Sequence, residues 1–516
     1  MASATAAAAA GAKHYAVLGG GISGLSTAWY LSRLVPKAKI TLVEKQARLG
    51  GWVHTQMQNG QLFELGPRTL RPVGDAGRAT LEMVHRLGLE KKVLTTAKTS
   101  PAAINRYIYS NNQLHHLPTS PFDLLNPFKS TSPLLRGLLL ALLREPFIKP
   151  STLPDESIHA FVSRRFSPAM ADNLVSAVLH GIYAGNAKEL SVRSAMPILW
   201  EAERKHGSVG RGLMAPPPRM PATAGAASAE PVDRAADEFV RRVQASASIY
   251  SFKDGMQTLT EALHRDLEGM GNVELLRGEV RQIRLGGGCE TPEITFSDTQ
   301  LPPLKADHII SALPASTLTN VLPAPSHTAL SSLLAAIPTV DVVTANLAFR
   351  GGPAARVLGG VTGFGYLIPL TEPTGILGTV FDSCAMPEQD DTTGATTRVT
   401  VMMGGHRFRK YFGDVEQADL GVLGDKAVEA VRSHLGVKAE VVERNVALHR
   451  ACIPQYTVGH HQRLTEMHEG LAGGKLSLTG ASYFGVGVND CVKNARELAR
   501  KIAKGENVTG LEKAAE

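Results

Sequence analysis

The chain has 516 residues, too many for one simple core and enough for two or three domains. Hydrophobic residues make up 43% and charged residues 20%, which excludes wholesale disorder, and no apolar run reaches the ~18–20 residues that cross a bilayer as a helix. The net charge of +7 is a small excess of 54 cations over 47 anions, and aromatics are only 5%, so a nucleic-acid partner that stacks bases on aromatic side chains is excluded.

In chain order, residues 1–11 form an alanine-rich tract. It has neither an apolar signal core nor an arginine-rich amphipathic pattern, so no cleavable presequence is evident. Tyr15-Ala-Val-Leu18 reads as a short strand and runs into Gly19-Gly-Gly-Ile-Ser-Gly24. Leu25, Ala28, Trp29, Leu31 and Leu34 then space the inner face of a helix. A second apolar strand over residues 38–43 ends in Glu44, which completes a βαβ unit. Residues 133–144 are the most apolar stretch and are too short to span a bilayer. Periodicity alone leaves a buried core helix and an interfacial patch equally open there. Phe122, Phe128 and Phe147 flank it.

Residues 151–207 read as mostly helical. From 211 to 234 the composition turns to Pro and Ala, and this segment reads as a disordered surface insertion. A helix is expected up to residue 267, then strands at 273–276, 279–284 and 306–312. Residues 340–403 suggest a second sheet. Leu476-Ser-Leu-Thr-Gly480 returns to a strand, turn and helix pattern. Cys289, Cys384, Cys452 and Cys491 lie far apart with no CxxC or zinc spacing, and no metal site is expected.

Gly19, Gly21 and Gly24 have the GxGxxG spacing between a strand and a helix, and Glu44 follows Gly24 by 20 residues. The first glycine permits the tight turn, the second lets backbone approach a pyrophosphate, and the third lets the helix pack close to the sheet. The acid suits a ribose hydroxyl. NAD and FAD both use this fingerprint, and the motif alone leaves them open.

Arg48-Leu-Gly-Gly-Trp-Val-His-Thr55 adds a second glycine pair and resembles the extended N-terminal signature of the flavin amine oxidase superfamily. The stretch from Leu478 through Gly480 and Val486-Gly-Val488 to Val492 resembles that superfamily's second flavin-contact segment. Within it, Phe63-Glu-Leu-Gly-Pro-Arg-Thr-Leu-Arg-Pro72, Asn105-Arg-Tyr-Ile-Tyr109, His180-Gly-Ile-Tyr-Ala-Gly-Asn186, Gly363-Phe-Gly-Tyr-Leu-Ile-Pro369 and Val401-Met-Met-Gly-Gly405 are similar to the protoporphyrinogen oxidase family, its eukaryotic mitochondrial type above all. The blocks fall in order along nearly the whole chain. The N-terminal tract and the insertion at 211–234 lie outside them.

The resemblance implies an α/β fold: a Rossmann-like FAD domain, a mixed-sheet substrate domain and a helical membrane-facing domain. The FAD domain would comprise residues 1–97, 255–328 and 449–516. The substrate domain would comprise 98–116, 208–254 and 329–448, and the helical domain 117–207. Non-covalent FAD would be held by Gly19, Gly20, Gly21, Ile22, Ser23, Gly24, Glu44, Lys45, Arg48, Gly50, Gly51 and Trp52. Gly66, Pro67, Arg68, Val280, Gly480, Val486, Gly487 and Val488 would complete that set.

The implied reaction is the six-electron oxidation of protoporphyrinogen IX to protoporphyrin IX in heme biosynthesis, with dioxygen as acceptor and hydrogen peroxide as by-product. Arg106 would hold a propionate, Phe364 and Leu367 would pack on a pyrrole ring, Met402 and Met403 would form the opposite wall, and Gly181 would offer its carbonyl. No general base stands out at motif spacing. The resemblance favours the interfacial reading of 133–144. It implies a peripheral, monotopic enzyme on the outer face of the mitochondrial inner membrane, with a homodimer and handover of product to ferrochelatase as further expectations. An amine or polyamine oxidase and a non-catalytic flavin-binding protein are the competing readings.

Overall fold

The computed structural model describes residues 12–118, 137–215, 233–286, 291–323, 328–390 and 394–516. They divide into two compact units.

The first unit comprises the described part of Met1–Val53, with Gln257–Ile337 and Gln462–Glu516. Its centre is a five-stranded sheet in the order Leu476–Leu478, His308–Ser311, His14–Leu18, Lys39–Glu44, Val273–Arg277. Every pair is parallel. Parallel strands are covered on both faces, which is why these segments read as near-continuous apolar runs: Ala16, Val17, Leu18, Ile40, Leu42 and Val43 are all buried. The helix Ile22–Leu34 returns the chain from the first strand to its neighbour, with Leu25, Ala28 and Leu31 fully buried. Trp29 in that helix is also buried, and its indole N–H donates to Asp266 Oδ2 at 2.7 Å, so the ring packs without stranding its one polar atom. A second, three-stranded antiparallel sheet of Val280–Arg284, Glu293–Phe296 and Leu304–Lys305 shares one core with the first.

The second unit comprises His54–Met256 and Pro338–His461. It is built on a seven-stranded sheet in the order Val441–Pro454, Thr339–Arg350, Thr396–Gly404, Ile376–Val380, Gly365–Leu367, Tyr107–Ser110, Gln113–His116. All pairs are antiparallel except Gly365–Leu367 with Tyr107–Ser110. The sheet is therefore mixed, as expected. The helix Leu420–Leu435 buries Leu423, Ala427 and Val431 against Val343, Leu347, Tyr366, Val401 and Met403 on one face.

The helical stretch expected over 151–207 forms Ile158–Arg165, Ser176–Tyr183 and Pro197–His206 within the second unit. Arg165, fully buried, holds it together. Its guanidinium donates to Glu145 Oε1 at 3.1 Å, to the Ile148 carbonyl at 2.9 Å and to the Gly207 carbonyl at 3.0 Å, and it pairs with buried Glu203. The Glu145 carboxylate in turn accepts from Ser208 Oγ and from the Val209 and Gly210 N–H groups, which anchors the start of the helix Val209–Met214.

The edges of the Pro/Ala insertion differ from the sequence expectation. Residues 211–214 belong to the helix Val209–Met214, capped by Ser208. Arg234 opens the helix Arg234–Ser246, capped by Asp233, which accepts from the Ala235 and Ala236 N–H groups. Capping side chains satisfy first-turn N–H groups that composition alone leaves unassigned. Residues 216–232 lie outside the described residues, as do residues 1–11, Phe122, Phe128, residues 133–136 and Cys289.

Candidate functional site

In the first unit, the three consecutive glycines leave the carboxyl end of the central strand at the point where chain connections diverge to either side, the usual place for a ligand on an open parallel sheet. Gly19 adopts φ +99°, a left-handed conformation that L side chains avoid. A Cβ on Gly24 would lie 1.8 Å from the Gly19 carbonyl oxygen, so only glycine lets the helix sit this close to the turn. A Cβ on Gly21, by contrast, would meet nothing nearer than Gly51 Cα at 3.8 Å. Gly21 faces open space and Gly24 faces backbone.

Gly50 and Gly51 close against this turn. The Gly50 N–H donates to the Gly20 carbonyl at 2.8 Å, and Gly21 and Gly50 form a parallel bridge. Arg48 holds the second glycine pair in shape: its guanidinium donates to the carbonyls of Leu49, Val53 and Gly51 at 3.0, 2.9 and 2.6 Å. Burial, partly offset by Glu44, lowers its pKa from the usual arginine value. Glu44 accepts from the Gly20 N–H at 2.6 Å through Oε2 and from the Gln46 N–H at 2.8 Å through Oε1, which fixes the carboxylate beside the glycine turn.

Val280 opens the strand Val280–Arg284 close to that carboxylate's residue, since the Gly278 N–H donates to the Glu44 carbonyl at 2.9 Å. Lys45 pairs with Glu279 in the open, and Trp52 is exposed. Ile22 and Ser23 form the first turn of the helix. Gly480, at φ +110°, lies against them, its hypothetical Cβ 3.5 Å from Ser23 Oγ.

Two helices of this unit start at glycines that bring no side-chain cap, Ile22–Leu34 after Gly21 and Val488–Ala503 after Gly487. The first has no acidic residue in its first turn, and its unpaired N–H groups and positive end suit a pyrophosphate. The second carries Asp490 in its first turn, with Val486 half-buried before it and Val488 buried within it. Burial raises the Asp490 carboxyl from its usual pKa.

The second unit gathers the other residues. Gly66, Pro67 and Arg68 follow the strand Gln61–Glu64. Arg68 is paired with Asp382 at 3.0 Å, both side chains largely buried. Leu65, just before them, has its carbonyl bonded by Thr344 Oγ1 and His449 Nε2. Leu367, Gly378 and Met402 stand in register on three adjacent strands, so Leu367 and Met402 share one face of the sheet with only a glycine between them. Gly181, on the helix Ser176–Tyr183, packs on the same leucine: its hypothetical Cβ would lie 2.9 Å from Leu367 Cδ2.

Met402 is half-buried, whereas Met403 points to the opposite face and is fully buried in the core. The expectation that both methionines form the wall is therefore corrected: alternation along the strand admits only one of them. Arg106 is exposed at the start of its strand. Its neighbours Asn105 and Tyr107 both donate to the Thr362 carbonyl, which binds this block to the loop that carries Phe364. Phe364 itself packs with Ile249 and Met386.

Three features carried no signal at motif spacing. Gly378 is an ordinary glycine in a β-rich run until register places it between Leu367 and Met402. Arg71 lies close enough to Arg106 that this like charge, after burial, lowers its pKa. His180 and His406, 226 residues apart, meet inside the unit at 3.0 Å.

A family model described as flavin containing amine oxidoreductase matches residues 22–503. Protoporphyrinogen oxidase of Homo sapiens is 39% identical over 491 residues, which cover 94% of this chain and 97% of the relative. That of Schizosaccharomyces pombe is 35% identical over 513 residues, covering 95% and 98%.

This chain belongs to the protoporphyrinogen oxidase family. Among solved structures, cyclohexylamine oxidase from Brevibacterium oxydans has the same fold, with a TM-score of 0.65 at 14% identity, covering 96% of this chain and 99% of that one.

Protoporphyrinogen oxidases of this kind are flavoenzymes, and FAD is the cofactor. The chain fits it: the open approach at Gly21, the paired glycine turns and the uncapped helix start form a cradle that any Cβ on Gly20 or Gly24 would spoil.

Proposed function

We infer that this protein is an FAD-dependent protoporphyrinogen oxidase, which removes six electrons from protoporphyrinogen IX to give protoporphyrin IX in heme biosynthesis. FAD, held non-covalently, supplies the two-electron acceptor chemistry, used three times per product and renewed by dioxygen with release of hydrogen peroxide. The chain's own residues orient the substrate. The observation that carries this reading is the in-register row of Leu367, Gly378 and Met402, an apolar strip on which Leu367 fills the room a Gly378 side chain would take and which suits a greasy macrocycle.

Arg106, two residues before Ile108, continues the strand alternation onto the Leu367 side. We assign it to a propionate, since a planar guanidinium binds a carboxylate through two hydrogen bonds. Gly181 lies so close on Leu367 that a Cβ would meet its Cδ2 at 2.9 Å, and we assign its backbone carbonyl to the pyrrole N–H groups. Phe364 extends the apolar lining. In the cofactor cradle, Gly19, Gly20, Gly21, Ile22, Ser23 and Gly24 take the pyrophosphate, Glu44 the ribose and Val280 the adenine. Lys45, Arg48, Gly50, Gly51 and Trp52 form the adjoining loop. We further assign Gly66, Pro67, Arg68, Gly480, Val486, Gly487 and Val488 to the flavin. The division into FAD-binding, substrate and helical membrane-facing domains at the boundaries given above belongs to the same proposal.

We also propose a peripheral location on the mitochondrial inner membrane, on its outer face, with a homodimer and product handover to ferrochelatase. No helix among the described residues is long and apolar enough to cross a membrane. Leu140, Leu143, Phe147, Ile198, Leu213 and Met214 are all exposed on mutually packed helices, with exposed Arg144, Lys149 and Arg211 beside them. An apolar patch rimmed by cations suits an anionic bilayer surface.

The test is substrate-driven bleaching of the flavin. Under anaerobic conditions protoporphyrinogen should bleach the holoenzyme and amines should not, and air should then bring oxygen-dependent porphyrin fluorescence. Bleaching by amines alone, or bound FAD with no acceleration of porphyrin fluorescence, would overturn the assignment.

A further inference from the structure

A narrow space of about 10 Å³ lies within the second unit, enough for a single water molecule. Its wall includes the side chains of Glu64, Arg68, Asn346, Asp382 and Arg398. Most of their polar atoms are accounted for. Glu64 accepts from the Met256 N–H at 2.6 Å and from Thr55 Oγ1 at 2.9 Å. Arg68 pairs with Asp382 Oδ1 at 3.0 Å. Arg398 donates through Nε to Asp390 Oδ1 at 2.8 Å and through Nη1 to the Leu62 carbonyl at 2.7 Å.

Two buried atoms are left over. Arg398 Nη2 has no partner, and neither has Asn346 Nδ2, on residues that are 3% and 1% exposed. The Asn346 amide is fixed on one side only: Thr400 Oγ1 lies 2.7 Å from its Oδ1 and also 2.7 Å from Asp382 Oδ2. Turning the amide would exchange its two atoms and still leave one of them facing no partner. Buried polar atoms of this kind are rare in folded proteins unless an ordered water meets them.

We propose that this cavity binds one ordered water molecule, held by Arg398 Nη2 and the spare amide atom of Asn346 and directed at the carboxyl groups of Asp382 and Glu64. The lining selects a neutral occupant. An anion would face the Asp382 carboxylate and the Glu64 carboxyl group, and a metal cation would face the guanidinium groups of Arg68 and Arg398. Water accepts from one kind of group and donates to the other. It joins Glu64, on the strand Gln61–Glu64, to Asp382, which opens the helix Asp382–Ala385. It thereby adds a second link beside the Arg68–Asp382 pair.

High-resolution crystal structures of the FAD-loaded enzyme, grown with bromide as the halide, test this for the wild type and for Asn346→Leu, whose side chain fills the space. The expected wild-type result is one peak of water height, without anomalous signal, within hydrogen-bond distance of Arg398 Nη2. The expected variant result is loss of that peak. An anomalous bromide peak would make this an anion site. A dry cavity with Asn346 bonded directly to Arg398 would overturn the proposal, and a peak that persists in the variant would overturn the role given to Asn346. Should the variant fail to fold, the wild-type map decides the question alone. Neither readout depends on which substrate the enzyme takes.

Discussion

His180 and His406 face each other Nε2 to Nε2 at 3.0 Å with their rings stacked, and His180 Nδ1 lies 2.6 Å from the Ile368 carbonyl. A carbonyl only accepts, so His180 carries its proton on Nδ1. Its Nε2 is then the acceptor for His406 Nε2–H. The pair is thus a neutral, directional link, and protonating either ring puts a charge into a buried site.

That geometry sets an acid limit on stability. Burial lowers the pKa of His180 to about 4, helped by Arg407. Burial, His180 and Arg407 lower that of His406 to about 3. Both folded values lie below the unfolded value of 6.5, so the unfolded chain binds more protons as pH falls. Stability contributed by the neutral pair is complete above pH 6.5 and drains away as pH falls through about 4 for His180 and about 3 for His406. The expected loss is on the order of 2 kcal/mol or more across that window. Thermal unfolding of wild type and His406→Gln from pH 7.5 to 4.5 checks it: the variant should show a clearly shallower decline, and an identical slope would reject the coupling.

Glu64 runs the other way. Burial lifts its carboxyl to about 7, against the hydrogen bonds from Met256 and Thr55 and the charge of Arg68. The folded value exceeds the unfolded one of 4.5, so the folded chain holds the proton more tightly. This contribution is complete below pH 4.5 and is lost as pH rises through about 7. Glu64→Gln keeps the acceptor for Met256 and cannot ionise. Its stability should be flat across pH 5 to 8 where the wild type declines by on the order of 2 kcal/mol. Infrared difference spectra should also lose one protonated-carboxyl band in the variant.

Arg106→Ala should raise KM for protoporphyrinogen with little change in kcat, since the contact assigned to it lies away from the reacting carbons. Loss of a charged hydrogen bond of about 1.5–3 kcal/mol corresponds to roughly 10- to 100-fold. Arg106→Lys should recover part of it. An unchanged KM in the alanine variant would remove Arg106 from the substrate site.

The glycine turn separates packing from cofactor contact. Gly24→Ala places a Cβ 1.8 Å from the Gly19 carbonyl, so the helix must shift. The variant should lose both FAD and stability, by about 1–3 kcal/mol or more. Gly21→Ala meets nothing nearer than 3.8 Å in the protein. It should leave the melting temperature of the apoprotein unchanged while it lowers FAD occupancy, read from the flavin-to-protein absorbance ratio. Full occupancy in Gly21→Ala would show that the pyrophosphate does not pass that glycine.

What could be read from sequence alone was local or ordered along the chain. The strand, glycine turn, helix and acid around Gly19–Gly24 and Glu44 lie within about thirty residues, and their physics is complete at that range: apolar runs make parallel strands, and glycine permits the turn. The family blocks add order over the whole length, and with it the flavin and the reaction class. The rest depended on which residues meet across long separations. Alternation along Thr396–Gly404 says that Met402 and Met403 face opposite ways, but only the packed helix Leu420–Leu435 decides that Met403 is the core residue. Gly378 matters because register sets it between Leu367 and Met402. Arg165, by type a surface residue, is buried because Glu145, Glu203 and three carbonyls converge on it from different segments. Charge neutralisation, desolvation and strand register are sums over neighbours, and neighbours distant in sequence exist only once the chain has folded.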